Sequence, residues 1–371
     1  MRKSLFLLFL TALAYFFSSS ICFCSNGQEK NKTEAKKTSL VVLPVIFYTP
    51  ETRWAAGAGG LYAFRLGKSE ITTRPSSLLF DFIYTQNKQF VIEFMPELYL
   101  KEEKYFLTSY LSSQKFPEKF YGIGNNTPES VAEDYTPRTV SIEFSFQKKI
   151  WPKEKIYAGL QYKFQDFKIL KFEKEDGMLA RGEISGTKGG KISGAGFILK
   201  LDSRDNIFYP TRGDYFELST NFYGQALASD YSFVRVDVDL RKYIPLFSSH
   251  VLALQAFMQS ASGSSPFYML SKLGGQSTMR GYYSGRYRDK ILVAFQVEYR
   301  LPIWRRIGMV CFAGWGDVAD KFNHFKLEDF KYSLGWGLRY KIVRKEGTNL
   351  RLDFGYGQGC SGIYFTAGEA F

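Results

Sequence analysis

The chain has 371 residues, with 49 lysines and arginines against 36 acids and a formal charge of +13. Beyond the N-terminal region no run of 18 apolar residues occurs, which excludes transmembrane helices. Aromatic residues make up 18% of the chain, with 35 Phe and 25 Tyr, a bias that suits strands and the interfacial girdles of membrane barrels.

The N-terminus reads Met1-Arg2-Lys3, an apolar run from Leu5 to Phe17, then a small polar region ending near Ser25. This is the pattern of a secretory signal peptide, residues 1–24, cleaved near Cys24. Ile21 and Phe23 stand before the two cysteines where a lipobox needs a small residue, so lipidation is not expected. An exported chain without Lys/Arg blocks interleaved with aromatics is not a nucleic-acid binder. The basic excess is instead assigned to loops and lumen facing anionic outer-membrane lipid. Cys311 and Cys360 are too far apart in sequence, and lack the spacing, for a disulfide framework or a metal site. Residues 25–39 form a polar periplasmic lead-in too short for a soluble domain, and residues 40–371 are left for one structural unit.

That unit shows period-two alternation almost throughout. Candidate strands cover 40–48 and 53–66; then Leu78, Phe80, Phe82 and Tyr84 oppose Asp81 and Thr85, and after an Asn87-Lys88 turn Phe90, Ile92, Phe94 and Leu98 oppose Glu93 and Glu97. Further strands follow at 104–115, around Val140 to Phe146, at 155–172 and at 191–201. In the second half, Phe216, Leu218, Thr220 and Phe222 oppose Tyr215, Glu217, Ser219 and Asn221, and Val234, Val236, Val238 and Leu240 oppose Arg235, Asp237, Asp239 and Arg241. Such a charged side is hard to place in a sandwich core, and its apolar side is poor for water. The strands 251–261, 291–301, 307–317, 332–342, 350–357 and 363–371 complete a count of sixteen, with fourteen and eighteen as alternatives given the boundary error. The reading is an all-β, antiparallel transmembrane barrel with both ends periplasmic. Tight links such as Trp151-Pro152 then sort to one rim and long loops to the other.

The cleanest strand begins at Ile291. Its odd positions to Leu301 are apolar, while Gln296, Glu298 and Arg300 share the other side. It follows a glycine-rich loop carrying Met279-Arg280-Gly281-Tyr282. This loop resembles the Arg-Gly-aromatic motif between strands eleven and twelve of the BamA/TamA superfamily of outer-membrane assembly and secretion barrels, also called bacterial surface antigens. Two other stretches carry the resemblance. Asp202-Ser203-Arg204-Asp205 with Pro210 and Gly213 is similar to the family's Asp-x-Arg-Asp turn closing on Pro-x-x-Gly, and Glu298-Tyr299-Arg300-Leu301-Pro302 is followed by Phe312, Gly316 and Val318.

The resemblance implies that the long loop folds into the lumen and that its arginine pairs with an inward acid. Glu298 is the expected partner of Arg280, with Asp317 as fallback, because an arginine among barrel walls needs a compensating charge. Where the family often carries a second inward acid this chain has Gly314, which would leave anchoring more dependent on Glu298. Phe371, with Phe365 and Ile363 before it at alternate positions, resembles the aromatic-ended insertion signal read by the barrel-assembly machinery. The family's client-capturing periplasmic modules do not fit into residues 25–39, so a barrel-only member is implied, with a separate periplasmic partner left open.

Two functions follow as expectations: translocation or insertion of a substrate at the outer membrane, or a passive pore or structural barrel. Catalysis is not expected. No G-x-S-x-G elbow occurs, and neither His250 nor His324 has an evident nucleophile. No cofactor or metal is implied.

Overall fold

The computed structural model describes residues 38–49, 53–66, 73–153, 155–247, 249–343 and 347–371. The expected signal peptide, residues 25–37 of the lead-in, and Lys345 and Glu346 of one tight turn lie outside the described residues. Among the described residues sixteen long strands follow one another: β1 (Thr38–Thr49), β2 (Arg53–Phe64), β3 (Ser76–Thr85), β4 (Phe90–Leu100), β5 (Tyr105–Lys115), β6 (Glu133–Trp151), β7 (Ile156–Phe172) and β8 (Gly190–Asp202) form the first half. The second half comprises β9 (Gly213–Tyr223), β10 (Phe233–Leu246), β11 (His250–Gly263), β12 (Ile291–Trp304), β13 (Ile307–Ala319), β14 (Lys331–Val343), β15 (Thr348–Gly357) and β16 (Cys360–Ala367). Each pairs antiparallel with the next in the chain. A three-residue strand, Glu118–Phe120, extends the β5 side against the start of β6.

The alternation in the sequence becomes the two faces of this sheet. Phe197, Leu334 and Phe365 project outward and are 60% or more exposed, whereas Glu298, Asp317 and Asp353 project inward and are fully buried. An apolar outer surface of this extent is costly in water. It is the expected coat of a barrel in hydrocarbon, where each backbone group must be paired inside the sheet. The sheet curls, so side chains of distant strands meet across the interior. Arg74, just before β3, sits 2.7 Å from Asp202 at the end of β8. Phe267, after β11, packs edge-on against Tyr135 of β6 and Phe167 of β7. Among the described residues no backbone ladder joins β1 to β16.

One rim carries the long connections 116–132, 173–189, 264–290 and 320–330; the other carries the short links 101–104, 247–249 and 305–306, together with the ten-residue turn 203–212. The 264–290 loop folds inward. Its first part inserts Phe267 and Tyr268 into an apolar cluster with Phe120, Leu179, Ile192, Tyr223 and Phe233. Its second part forms a small hairpin, Ser271–Leu273 paired with Tyr287–Asp289. Leu273, Met279, Tyr282 and Tyr287 of this part pack on Leu292, Ala294 and Val318 of the opposite wall. The loop therefore spans the lumen, with an aromatic anchor on each side.

The last strand departs from the sequence reading. β16 ends at Ala367 rather than running to Phe371. Gly368 adopts a left-handed φ of +90°, and the chain then turns into the lumen. There Phe371 is buried against Tyr243, Val251 and Ala253. Phe365 remains an outward strand residue, 60% exposed, but Phe371 is not in line with it. Glu369 supplies the reason. Its carboxylate lies 2.8 Å from Arg339 Nε and accepts a 2.7 Å hydrogen bond from Asn349, which draws the residues after Gly368 inward.

If the outer face meets lipid, Leu338→Arg on β14 should cost about 2–4 kcal/mol in unfolding of the bilayer-refolded protein. Unchanged stability would contradict that assignment.

Candidate functional site

The Arg280 guanidinium lies deep in the lumen, fully buried, at the turn of the loop. Its Nη1 is 2.8 Å from Glu298 Oε2 on β12 and 2.5 Å from Asp353 Oδ2 on β15. Its Cζ sits 3.5 Å above the Phe312 ring of β13, a cation–π contact worth roughly 2 kcal/mol when desolvated. Three further arginines complete the cluster. Arg300 Nε lies 2.8 Å from Glu298 Oε1, Arg339 Nη1 lies 2.5 Å from Asp353 Oδ1 and Nη2 3.5 Å from Glu298 Oε2, and Arg351 Nε approaches Asp353 at 3.5 Å. A buried ion pair gains only where geometry is good and the remaining groups are bonded, while deleting one partner leaves an uncompensated charge costing about 3–5 kcal/mol.

Backbone fit matters as much as charge. Gly281 has φ +109°, and a Cβ there would lie 2.8 Å from the Tyr356 carbonyl carbon. A Cβ on Gly355 would come 2.6 Å from Gly281 N. These two glycines let the loop backbone lie directly on β15. The loop is then tied by Gly281 N–H donating to Tyr364 Oη at 2.9 Å, Tyr364 O–H donating to the Tyr282 carbonyl at 3.2 Å, and Tyr282 O–H donating to the Tyr332 carbonyl at 2.9 Å. Strands β12 to β16 thus all touch the Arg280-Gly281-Tyr282 segment.

Two features of this site differ from the sequence reading. Asp353 is a direct partner of Arg280 that the sequence reading did not assign. It does for the loop what an acid at 314 would have done, and Gly314 instead leaves room for Met279, whose Cγ would stand 3.4 Å from a Cβ there. Asp317, expected as the fallback partner, does not reach Arg280. Its Oδ2 accepts a 3.1 Å hydrogen bond from Asn125 in the 116–132 loop, because it lies toward the long-loop rim of β13.

At the other rim Asp202, Arg204 and Arg74 form a second, largely buried group beside the exposed turn residue Asp205. Arg204 donates through Nε and Nη2 to Asp202 at 2.9 Å each, and Arg74 holds the opposite side of the same carboxylate. Burial opposes the charge on Arg204, but the hydrogen bond to Asp202, the charge of that carboxylate and the nearby Tyr243 and Tyr215 together outweigh it and raise the pKa. Asp205 Oδ1 accepts the backbone N–H groups of Asn206 at 3.0 Å and Thr211 at 2.9 Å. Gly213 takes φ +105°, with no room for a Cβ beside the Ser203 carbonyl. Pro210 offers its carbonyl to Arg300 Nη1 at 3.1 Å, and Arg300 Nη2 also donates to the Phe371 carbonyl at 3.2 Å. Arg300 was not singled out by sequence, although its place on the inward side of β12 was visible. It joins the loop cluster to both segments covering the short-loop mouth.

The two histidines lie apart from this cluster. His250 bonds Tyr299 at 2.7 Å and His324 bonds Asp320 at 2.5 Å. Neither of these contacts supplies a serine or cysteine nucleophile.

Gly355→Ala should displace the loop without altering a single charge, because its Cβ would occupy the place of the Gly281 amide. Limited trypsin digestion of the refolded barrel is expected to cut within 264–290 in this variant and to spare the parent; equal protection would show that the loop does not need this close approach.

Comparison with known proteins agrees with this geometry. Residues 57–371 match the Omp85 superfamily domain. Among solved structures, BamA from Haemophilus ducreyi lacking POTRA domains 1–3 aligns with TM-score 0.55 and 14% identity, over 89% of this chain and 69% of that one. CdiB from Acinetobacter baumannii aligns with TM-score 0.53 and 12% identity, over 87% of this chain and 56% of that one. These likenesses are of fold, and the chain spans little more than half the length of CdiB. No curated protein matches in sequence. The family match over most of the chain, with the lumenal loop and the outward apolar face, makes this protein an integral outer-membrane β-barrel belonging to the Omp85 superfamily.

Proposed function

We propose that the barrel translocates a substrate across the outer membrane or inserts one into it, with the 264–290 loop as a plug that occupies the lumen at rest. The observation that carries this reading is the double ion pair from Arg280 to Glu298 and Asp353. A passive channel has no need to hold a loop across its lumen with a desolvated charge, since the loop obstructs the path. A gated barrel does, because ion pairs and hydrogen bonds can be exchanged for contacts with a substrate or partner while the strands stay paired.

Arg280, Gly281, Tyr282 and Glu298 are assigned the anchoring of the plug, joined by Asp353. The Asp202-Arg204-Asp205 turn with Pro210 and Gly213 is assigned to closing the short-loop mouth, where a separate periplasmic partner would act. Phe365 contributes to the lipid-facing band, and the partners in this reading are outer-membrane lipid and the machinery that assembles the barrel. The reading gives the protein no catalytic role.

Planar-bilayer recording of the refolded protein tests the plug. The parent should be nearly silent, whereas Arg280→Ala and Glu298→Ala should both open in noisy, similar steps. One steady conductance shared by all three proteins would favour the alternative, a passive pore that shares the superfamily's barrel.

A further inference from the structure

A second buried arginine on the plugging loop lacks the compensation that Arg280 enjoys. Arg288 is 1% exposed, yet among the described residues no ion pair involves it, and its Nε and Nη1 have no hydrogen-bond partner. Its Nη2 donates to the Lys119 carbonyl over a long 3.5 Å, and the guanidinium lies against the neutral Tyr135 hydroxyl. The hairpin places Lys272 directly opposite it in register. The two cations therefore share one face, away from the face on which Leu273 and Tyr287 pack against the wall. Like charges facing each other across a ladder repel. Lys272 also forms no ion pair among the described residues, and burial lowers its pKa, with Glu118 raising it and Arg288 and Arg235 lowering it further.

The neighbouring groups compensate the two cations only in part. Glu118 attracts Lys272 and accepts a 2.8 Å hydrogen bond from the Tyr135 hydroxyl, but among the described residues it makes no ion pair with either cation, so one acid faces two positive charges. Arg235 is held by Asp237 at 3.1 Å and donates to the Met269 carbonyl at 2.9 Å. The rings of Phe120 and Phe267 lie 5.0 and 5.8 Å from Arg288 Cζ, offering it a face but no acceptor. Gly285 keeps the space beside the cations clear: a Cβ there would stand 2.9 Å from Arg288 Nη2 and 3.4 Å from Lys272 Cδ. A guanidinium with two free donors beside an ammonium is the donor set that takes an oxyanion, the planar fork giving paired hydrogen bonds and the lysine a point charge.

We propose that Lys272 and Arg288 form an oxyanion site of phosphate class inside the lumen, on the face of the plugging loop that looks toward β6 to β10. The site stands independently of the translocation reading, since it uses neither the Arg280 cluster nor the short-loop mouth. A free phosphate and the phosphomonoester of a glycolipid headgroup share the chemistry.

The test is the denaturant midpoint of the refolded protein in phosphate-free detergent micelles, titrated with inorganic phosphate. A parallel series uses micelles doped with a phosphorylated glycolipid or its dephosphorylated form. A ligand that binds only the folded barrel raises the midpoint with the logarithm of its concentration. The parent is expected to respond to at least one phosphate source, with Arg288→Gln and Lys272→Gln responding at about tenfold or more higher concentration. If Arg288→Gln fails to refold, Lys272→Gln at a half-buried position still decides. A parent that does not respond, variants that respond as the parent does, or a response that chloride reproduces at equal ionic strength would overturn the assignment.

Discussion

Inside a barrel lumen closed by its own loops, a guanidinium is out of reach of bulk water and has to be matched by charge from the wall. The placement of Arg280 between Glu298 and Asp353 answers that need, and much of the interior follows from it. Glu298 is shared by Arg280, Arg300 and Arg339, and Asp353 by Arg280, Arg339 and Arg351. No member can leave without exposing the others' charge. Through Arg300 the same cluster holds the carbonyls of Pro210 and Phe371, so the loop entering from one rim and the segments covering the other are bonded to one set of side chains.

Charge alone would not position the loop. The small residues Gly281, Gly314 and Gly355 allow it to lie against the wall, and aromatic groups fix its two ends, Phe267 and Tyr268 among β6 to β10 and Tyr282 against β14 to β16. Each device has a different sensitivity. The apolar cluster weakens little with salt, while the ion pairs depend on the lumen remaining dry. A substrate that brings water or charge into the lumen would act on the Arg280 side first and leave the aromatic side as a hinge.

Much of the fold was legible because alternation is a local property. The inward orientation of Glu298 follows from its strand alone, and the sixteen strands were countable for the same reason. What could not be read depended on relations between strands. Asp353 is as plainly inward as Glu298, but only the register of β12 through β15 brings it under Arg280. Asp317 lies on the inner face too, nearer the long-loop rim, and meets Asn125 from a different loop. The final residues were misread because alternation through Phe365 suggested a strand continuing to Phe371. Gly368 and the pull of Arg339 on Glu369 break that continuity. The interior aromatic cluster was hidden for the opposite reason. Tyr135, Phe167, Tyr223 and Phe233 are apolar at inward positions, which departs from the polar-lumen pattern used to find the strands.

The ion pair between Arg280 and Glu298 ties the loop to the barrel wall. A double-mutant cycle of Arg280→Met and Glu298→Gln, read as unfolding free energy of the refolded barrel, measures that coupling. An interaction of about 1.5–3 kcal/mol between the two sites is expected. Additivity within about 0.5 kcal/mol, with both single variants folded, would contradict it and leave the loop held by shape alone.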